Sequence, residues 1–374
     1  MVSGCRLLSQ ASGDWLVGTI SYATTASTVG MATHTDMEAL PGVGPATATK
    51  LTDAGYDSYG GLEIASPREV VAATDIGDGT ATDIIAAARE AADVGGFESG
   101  AAIREHRTQI GKLSTGVPAV DDLLGGGIET QSMTEIYGGF GVGKSQFSHQ
   151  LAVLVQLPEE YGGLAGRAVL VDTEDAFRPE RIDDMVRGLD PEIVAAELDR
   201  REIDGSPDDA ATMDALVADF LEYIHVARAF NSDHQMLLGE TAADIASEHA
   251  DSDRPVRLVI YDSLTAHFRA EYVGRGELAA RQQKLNRHIH DLLELGTLHN
   301  TAILVMNQVQ SNPDSYFGDP TKPVGGNILG HASMIRIYLK NSKGTKRIVR
   351  LVDAPNLADG EAIMRVEGGG LRPE

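Results

Sequence analysis

Eight consecutive residues, Gly138-Gly139-Phe140-Gly141-Val142-Gly143-Lys144-Ser145, match the pattern G-x-x-x-x-G-K-[ST] in full. The chemistry this pattern serves is phosphate binding. Its glycines free backbone N–H groups to converge on an anion at a helix N-terminus. Lys144 can then reach the β- and γ-phosphates, and Ser145 can hold Mg2+. The flanking sequence supplies the required setting: an apolar strand at 133–137 before the loop, and a helix through Phe147, Leu151 and Leu154 after it.

Three further strand ends carry groups that such a loop needs. Leu258-Val259-Ile260-Tyr261-Asp262 delivers a carboxylate that can bind Mg2+ directly or hold a water on it. Val171-Asp172-Thr173-Glu174 delivers another. Hydrolysis calls for a carboxylate beside the γ-phosphate to orient or deprotonate water, and Glu174 is the candidate. Asn307-Gln308 ends a third strand, where an amide could sense the γ-phosphate and couple it to the following loop. From spacing alone, a purely structural strand cap stays open for each.

For these groups to meet, their strands must end at one edge of one sheet. Apolar runs at 133–137, 168–172, 258–262, 301–307 and 334–339 alternate with helical stretches, which predicts a mostly parallel sheet covered on both faces. Strand ends in such α/β sheets open onto the ligand crevice. The segment 347–366 reads as shorter strands around an Asp-Ala-Pro-Asn turn. Two loops leave the same edge. Phe268-Arg269-Ala270-Glu271-Tyr272-Val273-Gly274-Arg275-Gly276-Glu277 mixes Arg, Tyr and Gly, then opens a helix through Leu278, Leu285, Ile289 and Leu292. Residues 309–327 form a long stretch rich in Pro, Asp and Gly, the kind of loop that is functional or mobile. Arginine beside aromatic residues suits single-stranded nucleic acid, through phosphate contact and stacking.

The rest of the chain divides around this core, which spans 110–374. Residues 1–30 hold the single cysteine, Cys5, and the single tryptophan, Trp15, with no sustained periodicity. They read as a disordered extension, consistent with a start codon chosen too early. Residues 31–95 are helix-rich, with Gly-containing turns at Leu40-Pro41-Gly42-Val43-Gly44-Pro45 and Ile76-Gly77-Asp78-Gly79. That pattern is a small all-α helix-hairpin-helix domain. Its turns either grip a phosphate through amides or merely join helices. Residues 96–109 are a linker. One cysteine excludes an internal disulfide, and no apolar run approaches the length of a membrane span. A cytoplasmic protein is expected.

Charge conflicts with a nucleic-acid role at first sight. The formal net charge is −24, and only 8 of the 31 basic residues are lysine. Such a chain should repel nucleic acid at ordinary salt. At 1 M salt the screening length falls to about 3 Å, so an acidic, lysine-poor surface fits a salt-adapted cytosol. Residues 321–350 run against the trend, with seven basic side chains and no acidic one. They read as an anion-facing surface or a solvated basic hairpin.

Taken together, these motifs resemble the archaeal RadA recombinases, relatives of RecA, from about Leu40 to the C-terminus. The carriers are the phosphate loop, Asp172-Thr173-Glu174 with Phe177-Arg178-Pro179-Glu180-Arg181, Ala227-Arg228-Ala229-Phe230-Asn231, the Tyr272–Leu278 stretch, Asn307-Gln308, and Gly325-Gly326-Asn327 with His331. The resemblance implies a RecA-like P-loop ATPase core. It also implies a DNA-dependent ATPase that coats single-stranded DNA as a filament and exchanges strands with double-stranded DNA. Under it Glu174 is the catalytic glutamate, and Gln308 and His331 sense the γ-phosphate. Arg181 lies against adenine. Asp353 begins a cap placed over ATP by a neighbouring subunit, with K+ a candidate ion beside it. Arg269, Tyr272 and Arg275 fall in a first DNA loop, and Phe317, Lys322, Gly325 and Gly326 in a second.

The family's polymerisation motif is Phe-x-x-Ala. It implies that Phe97 inserts near Ala227 and Ala229 of the next subunit, in a filament or a ring. Here Gly100 replaces the alanine, removing a methyl worth about 0.8 kcal/mol of burial. Ala358 stands where the cap usually ends in proline. A mediator paralogue, a hexameric helicase and a non-enzymatic DNA-binding module are the alternatives. The helix-hairpin-helix unit, Tyr272–Glu277 with Phe97, and the joint presence of Lys144, Ser145, Glu174 and Asp262 argue against them in turn.

Overall fold

The computed structural model describes residues 37–56, 59–91, 99–311 and 321–374. The chain separates into two units, Met1–Gly95 and Gly96–Glu374.

In the first unit α1 (Pro45–Asp53), α2 (Tyr59–Ile64), α3 (Pro67–Thr74) and α4 (Asp78–Ala91) share a small core of Leu51, Leu62, Val70 and Ile84, all fully buried. Local chemistry sets the boundaries. Gly42 takes φ +85°, a left-handed turn that strains any L side chain, and Pro45 then opens α1. A capping box starts α3: the Ser66 hydroxyl accepts from the Glu69 N–H, and the Glu69 carboxylate accepts from the Ser66 N–H. The turn expected at 76–79 is shorter than the sequence predicts, because α4 already begins at Asp78 and takes in Gly79.

The second unit begins with α5 (Gly100–Arg107), β1 (Lys112–Leu113), α6 (Pro118–Leu123) and β2 (Ile128–Glu129), with β1 and β2 paired antiparallel. The core continues through β3 (Met133–Gly138), α7 (Lys144–Leu154), β4 (Arg167–Asp172), α8 (Pro179–Arg187), α9 (Pro191–Arg200), α10 (Ala210–Glu222) and β5 (Ile224–Arg228). Next come α11 (Ser232–Glu248), β6 (Val256–Asp262), α12 (Ala266–Glu271), α13 (Leu278–Leu298), β7 (Ala302–Ser311) and β8 (Thr321–Pro323). The chain closes with α14 (Gly326–Ala332), β9 (Ile335–Asn341), β10 (Lys346–Asp353), β11 (Gly360–Glu367) and β12 (Gly370–Pro373).

The sheet runs β12-β11-β10-β9-β3-β7-β6-β4-β5, with β8 paired to β7. From β9 to β5 neighbouring strands are parallel, and β9 to β12 form an antiparallel meander. Successive residues feed opposite faces. Leu258, Ile260 and Leu304 join a core with Phe147 and Leu151 of α7, while Val259, Tyr261 and Val305 join one with Leu285, Ile289 and Leu292 of α13. Burial on both faces is why these strands read as continuous apolar runs.

Two expectations need adjustment. Residues 309–327 are not wholly irregular, because β7 extends to Ser311 and β8 pairs back on it. The strands after 346 are eight residues long in β10 and in β11, not short. The edge strand β5 escapes sequence reading, since its run Ile-His-Val-Ala-Arg buries only Ile224 and leaves Val226 exposed rather than forming an apolar block.

Candidate nucleotide-binding site

The phosphate loop sits between β3 and α7. A Cβ on Gly138 would lie 2.5 Å from the Leu339 carbonyl, so only glycine lets β3 approach β9 there. Gly143 takes φ +105° as the residue before α7, which turns the unpaired N–H groups of the first helical turn toward the loop. Lys144 Nζ donates to the carbonyls of Gly138 and Gly139, at 3.1 and 2.9 Å. Burial pulls its pKa down, and the carboxylates of Asp262 and Glu174 oppose that. Phe140 stands fully exposed, and Arg347 of β10 steadies the loop by donating to the Val142 carbonyl at 2.9 Å.

Asp262 closes the site from below. It is buried, and burial raises its pKa to about 6, with Glu174 and Asp172 adding to the rise and the Ser145 hydroxyl and Lys144 opposing it. A hydroxyl and a carboxylate, both oxygen donors, at the foot of a phosphate cradle suit a hard cation such as Mg2+.

Glu174 is aimed by its neighbour. The buried Asp172 carboxylate accepts the N–H groups of Glu174, Ala176 and Phe177 at 3.0, 2.8 and 2.9 Å, fixing the turn after β4. Thr173 ties that turn to β6, accepting from the Ser263 N–H at 2.7 Å. Across the edge, Gln308 Nε2 donates to Glu174 Oε1 at 2.7 Å. Residues 134 positions apart thus meet at one edge of the sheet.

Asn307, one residue earlier, is fully buried with its amide saturated. Its Oδ1 accepts from Thr265 Oγ1 and the Gln308 N–H, and its Nδ2 donates to Glu135 and to the Val324 carbonyl. Glu135, buried in β3, also accepts from Arg336 at 2.7 Å. His149 is a residue that sequence reading missed. It accepts the Arg178 N–H at Nε2, so Nδ1 carries the proton and donates to the Ser145 carbonyl, while its ring stacks on Phe177. Burial lowers its pKa and keeps it neutral. The i+4 spacing from Ser145 was the only signal available.

Other expected residues scatter around this centre. Arg181 bonds Gln146 of α7, Asp184 and the carbonyls of Glu367 and Gly368, bridging α8 to the β11–β12 turn. His331 is exposed on α14, which begins after Gly325 at φ +99° and contains Gly326. Arg269 is exposed on α12, Arg275 opens a short 3-10 turn, and Lys322 lies in β8. Tyr272 is half-buried, with its hydroxyl accepting from Lys284 at 3.0 Å, so it is engaged within its own chain. Ala229 is buried beside the half-buried Ala227 on the β5 edge, and Gly100 opens α5 with free space around it. Asp353 is exposed at the end of β10 and pairs in register with Arg336, level with Glu135. Phe97 and Phe317 lie outside the described residues. No helix among the described residues is long and apolar enough to cross a membrane.

A strand, a glycine loop, a helix and carboxylates on adjoining strands define a phosphate-loop nucleotide-binding core. Residues 106–199 and 210–373 match the family described as Rad51, and residues 35–90 match the SAM-like helix-hairpin-helix tandem. The chain is 68% identical over 339 residues to the DNA repair and recombination protein RadA of Haloferax volcanii, covering 91% of this chain and 99% of that one. It is 66% identical over 339 residues to the protein of that name from Haloquadratum walsbyi, with the same coverage. For that of Methanoculleus marisnigri it is 54% over 338 residues, or 90% and 98% of the two chains. The chain belongs to the Rad51 family, among the archaeal RadA recombinases.

Proposed function

We propose that this chain is a DNA repair and recombination ATPase that assembles on single-stranded DNA as a filament and exchanges strands with homologous duplex DNA. The observation that carries the reading is the contact of Gln308 with Glu174. It joins a hydrolytic carboxylate to the strand whose continuation, 309–327, is the second DNA loop, so DNA and the γ-phosphate can report on one another.

ATP is the nucleotide, cradled by Gly138, Gly139, Phe140, Gly141, Val142 and Gly143. Lys144 neutralises the β- and γ-phosphates. Ser145 and Asp262 would hold Mg2+, which offsets phosphate charge. Glu174 orients the attacking water and takes its proton, Gln308 and His331 respond to the γ-phosphate, and Arg181 flanks the base. Asp353 pairs three registers below Gly138, about 10 Å along the strand, with its turn continuing away from the loop. That placement favours a second copy as the recipient of the cap, with K+ beside it.

Arg269, Tyr272, Arg275, Phe317, Lys322, Gly325 and Gly326 face DNA. Self-assembly places Phe97 of the 96–109 linker, followed by Gly100, against Ala227 and Ala229. The exposed edge of β5, with Val226 and Phe230 open to solvent, suits that docking. The 31–95 unit grips DNA weakly through backbone amides, and the protein works in a salt-rich cytoplasm. The test is Glu174→Gln. ATP binding should persist while DNA-stimulated hydrolysis stops and filaments remain on single strands. Turnover near the wild-type rate would remove Glu174 from its role.

A further inference from the structure

The elements flanking the 272–277 loop and the residues around the start of α11 lie far apart in sequence, yet the side chains of three residues, Glu271, His267 and Lys284, bind them. The Glu271 carboxylate accepts the Ser232 N–H at 2.7 Å and also the Ser232 hydroxyl. Ser232 is fully buried as the first residue of α11, so this carboxylate occupies one of the unpaired backbone donors of that helix start, while the Asn231 side chain accepts from the His234 N–H. His267, one turn earlier on α12, donates from Nε2 to the Ala229 carbonyl at 3.0 Å. On the far side of the loop, Lys284 of α13 donates to the Tyr272 hydroxyl at 3.0 Å and forms an ion pair with Asp233 of α11. Both stems of the loop are therefore fastened to 229–233, the segment that continues the open edge of β5.

We propose that Glu271, with His267 and Lys284 beside it, is a positioning residue that couples DNA occupancy of the 272–277 loop to the subunit-docking edge at 227–230. The inference rests on the reading above, in which that loop touches DNA and that edge receives the next subunit. The physical argument is linkage. DNA that orders the loop fixes Glu271, and Glu271 fixes the start of α11 and the conformation of 229–231. A neighbour docked on that edge fixes the same atoms from the other side. Each event removes freedom that the other would otherwise have to remove, so the two favour one another equally. Phe230, stacked on His234 and 69% exposed, is the side chain whose presentation this first turn controls.

Glu271→Ala breaks the link without touching the phosphate site. Four measurements on the full chain at molar salt with ATP test it. Melting temperature should fall by a few degrees, because the buried Ser232 N–H and hydroxyl lose their acceptor, whereas self-association without DNA by light scattering and affinity for an oligonucleotide too short for two subunits should each match wild type. Binding to long single strands should lose cooperativity, with the Hill coefficient falling toward one and the midpoint weakening about fivefold or more, the usual scale of such couplings. Ser232→Ala should give a partial loss, and the double variant should be no worse than Glu271→Ala alone, since both remove one contact. Glu271→Gln, which keeps an oxygen able to accept from Ser232, should recover part of the cooperativity. Wild-type cooperativity in Glu271→Ala would overturn the proposal. So would loss of DNA-free association or of short-oligonucleotide affinity, because Glu271 would then shape only one end. A wild-type protein that neither self-associates nor binds the short strand would instead overturn the filament reading itself.

Discussion

His288 offers a quantitative test of how the core between α13 and β6 is built. It lies on α13 with no exposed surface, edge-on to Tyr261 at 5.1 Å and stacked on Phe268 at 6.0 Å. Burial lowers its pKa from 6.5 to about 4, so it is neutral in the folded protein at working pH. Unfolded, the same ring binds a proton below about 6.5. The unfolded state therefore holds more protons between those values. This residue's contribution to stability is complete above about pH 6.5 and is lost as pH falls toward 4. A gap of about 2.5 units at 1.36 kcal/mol each gives about 3.4 kcal/mol in full acid, and about 2 kcal/mol at pH 5. His288→Phe keeps a ring of similar shape against Phe268 and Tyr261 but cannot titrate. Denaturant unfolding of both proteins at pH 7 and pH 5, in molar KCl to screen surface charge, isolates the difference. Wild type should lose about 2 kcal/mol more than the variant on acidification. An equal loss in both would show that His288 is hydrated or paired in the folded state, and the dry contact between α13 and β6 would have to be revised.

Lys144→Ala should abolish ATP turnover, read by phosphate release, because no other side chain in the loop can neutralise the β- and γ-phosphates; residual turnover above a tenth of wild type would contradict that. Phe97→Ala should break self-association, since under the proposed docking it removes a large aromatic from a neighbour's pocket, a loss of about 3–5 kcal/mol. Gly100→Ala should leave assembly intact or tighten it, because a Cβ there meets nothing within 4 Å, and light scattering separates the two outcomes. Single-strand affinity should change little, or rise, between low and molar salt. Phosphate contacts lose about 0.7 log units per contact per decade of salt, while relief of the −24 self-charge acts the other way. Tyr272→Ala should hurt more at molar salt than Lys340→Ala, and a steep monotonic loss of wild-type affinity would end the salt-adapted reading.

The sequence by itself determined whatever depends on neighbouring residues. The phosphate loop is legible because its glycines, lysine and serine act within one contiguous turn. The parallel strands are legible because burial on both faces writes a run of apolar side chains. Asp262 and Glu174 could be nominated because a carboxylate at such a strand end faces the crevice. Tertiary structure decided the pairings that cross the sheet. Nothing near Gln308 announces that its amide meets Glu174, and nothing near Asp172 announces that it saturates three N–H groups to aim that carboxylate. Asn307 reads as an ordinary strand cap until Thr265, Glu135 and Val324 surround it. His149 reads as a core histidine until Arg178 fixes its tautomer. Glu271 reads as one more acid in an acidic chain, and only the packing of α12 against α11 turns it into the partner of Ser232. Hydrogen bonds are satisfied by proximity in space, and a one-dimensional pattern records proximity only within a turn of helix or a strand's alternation.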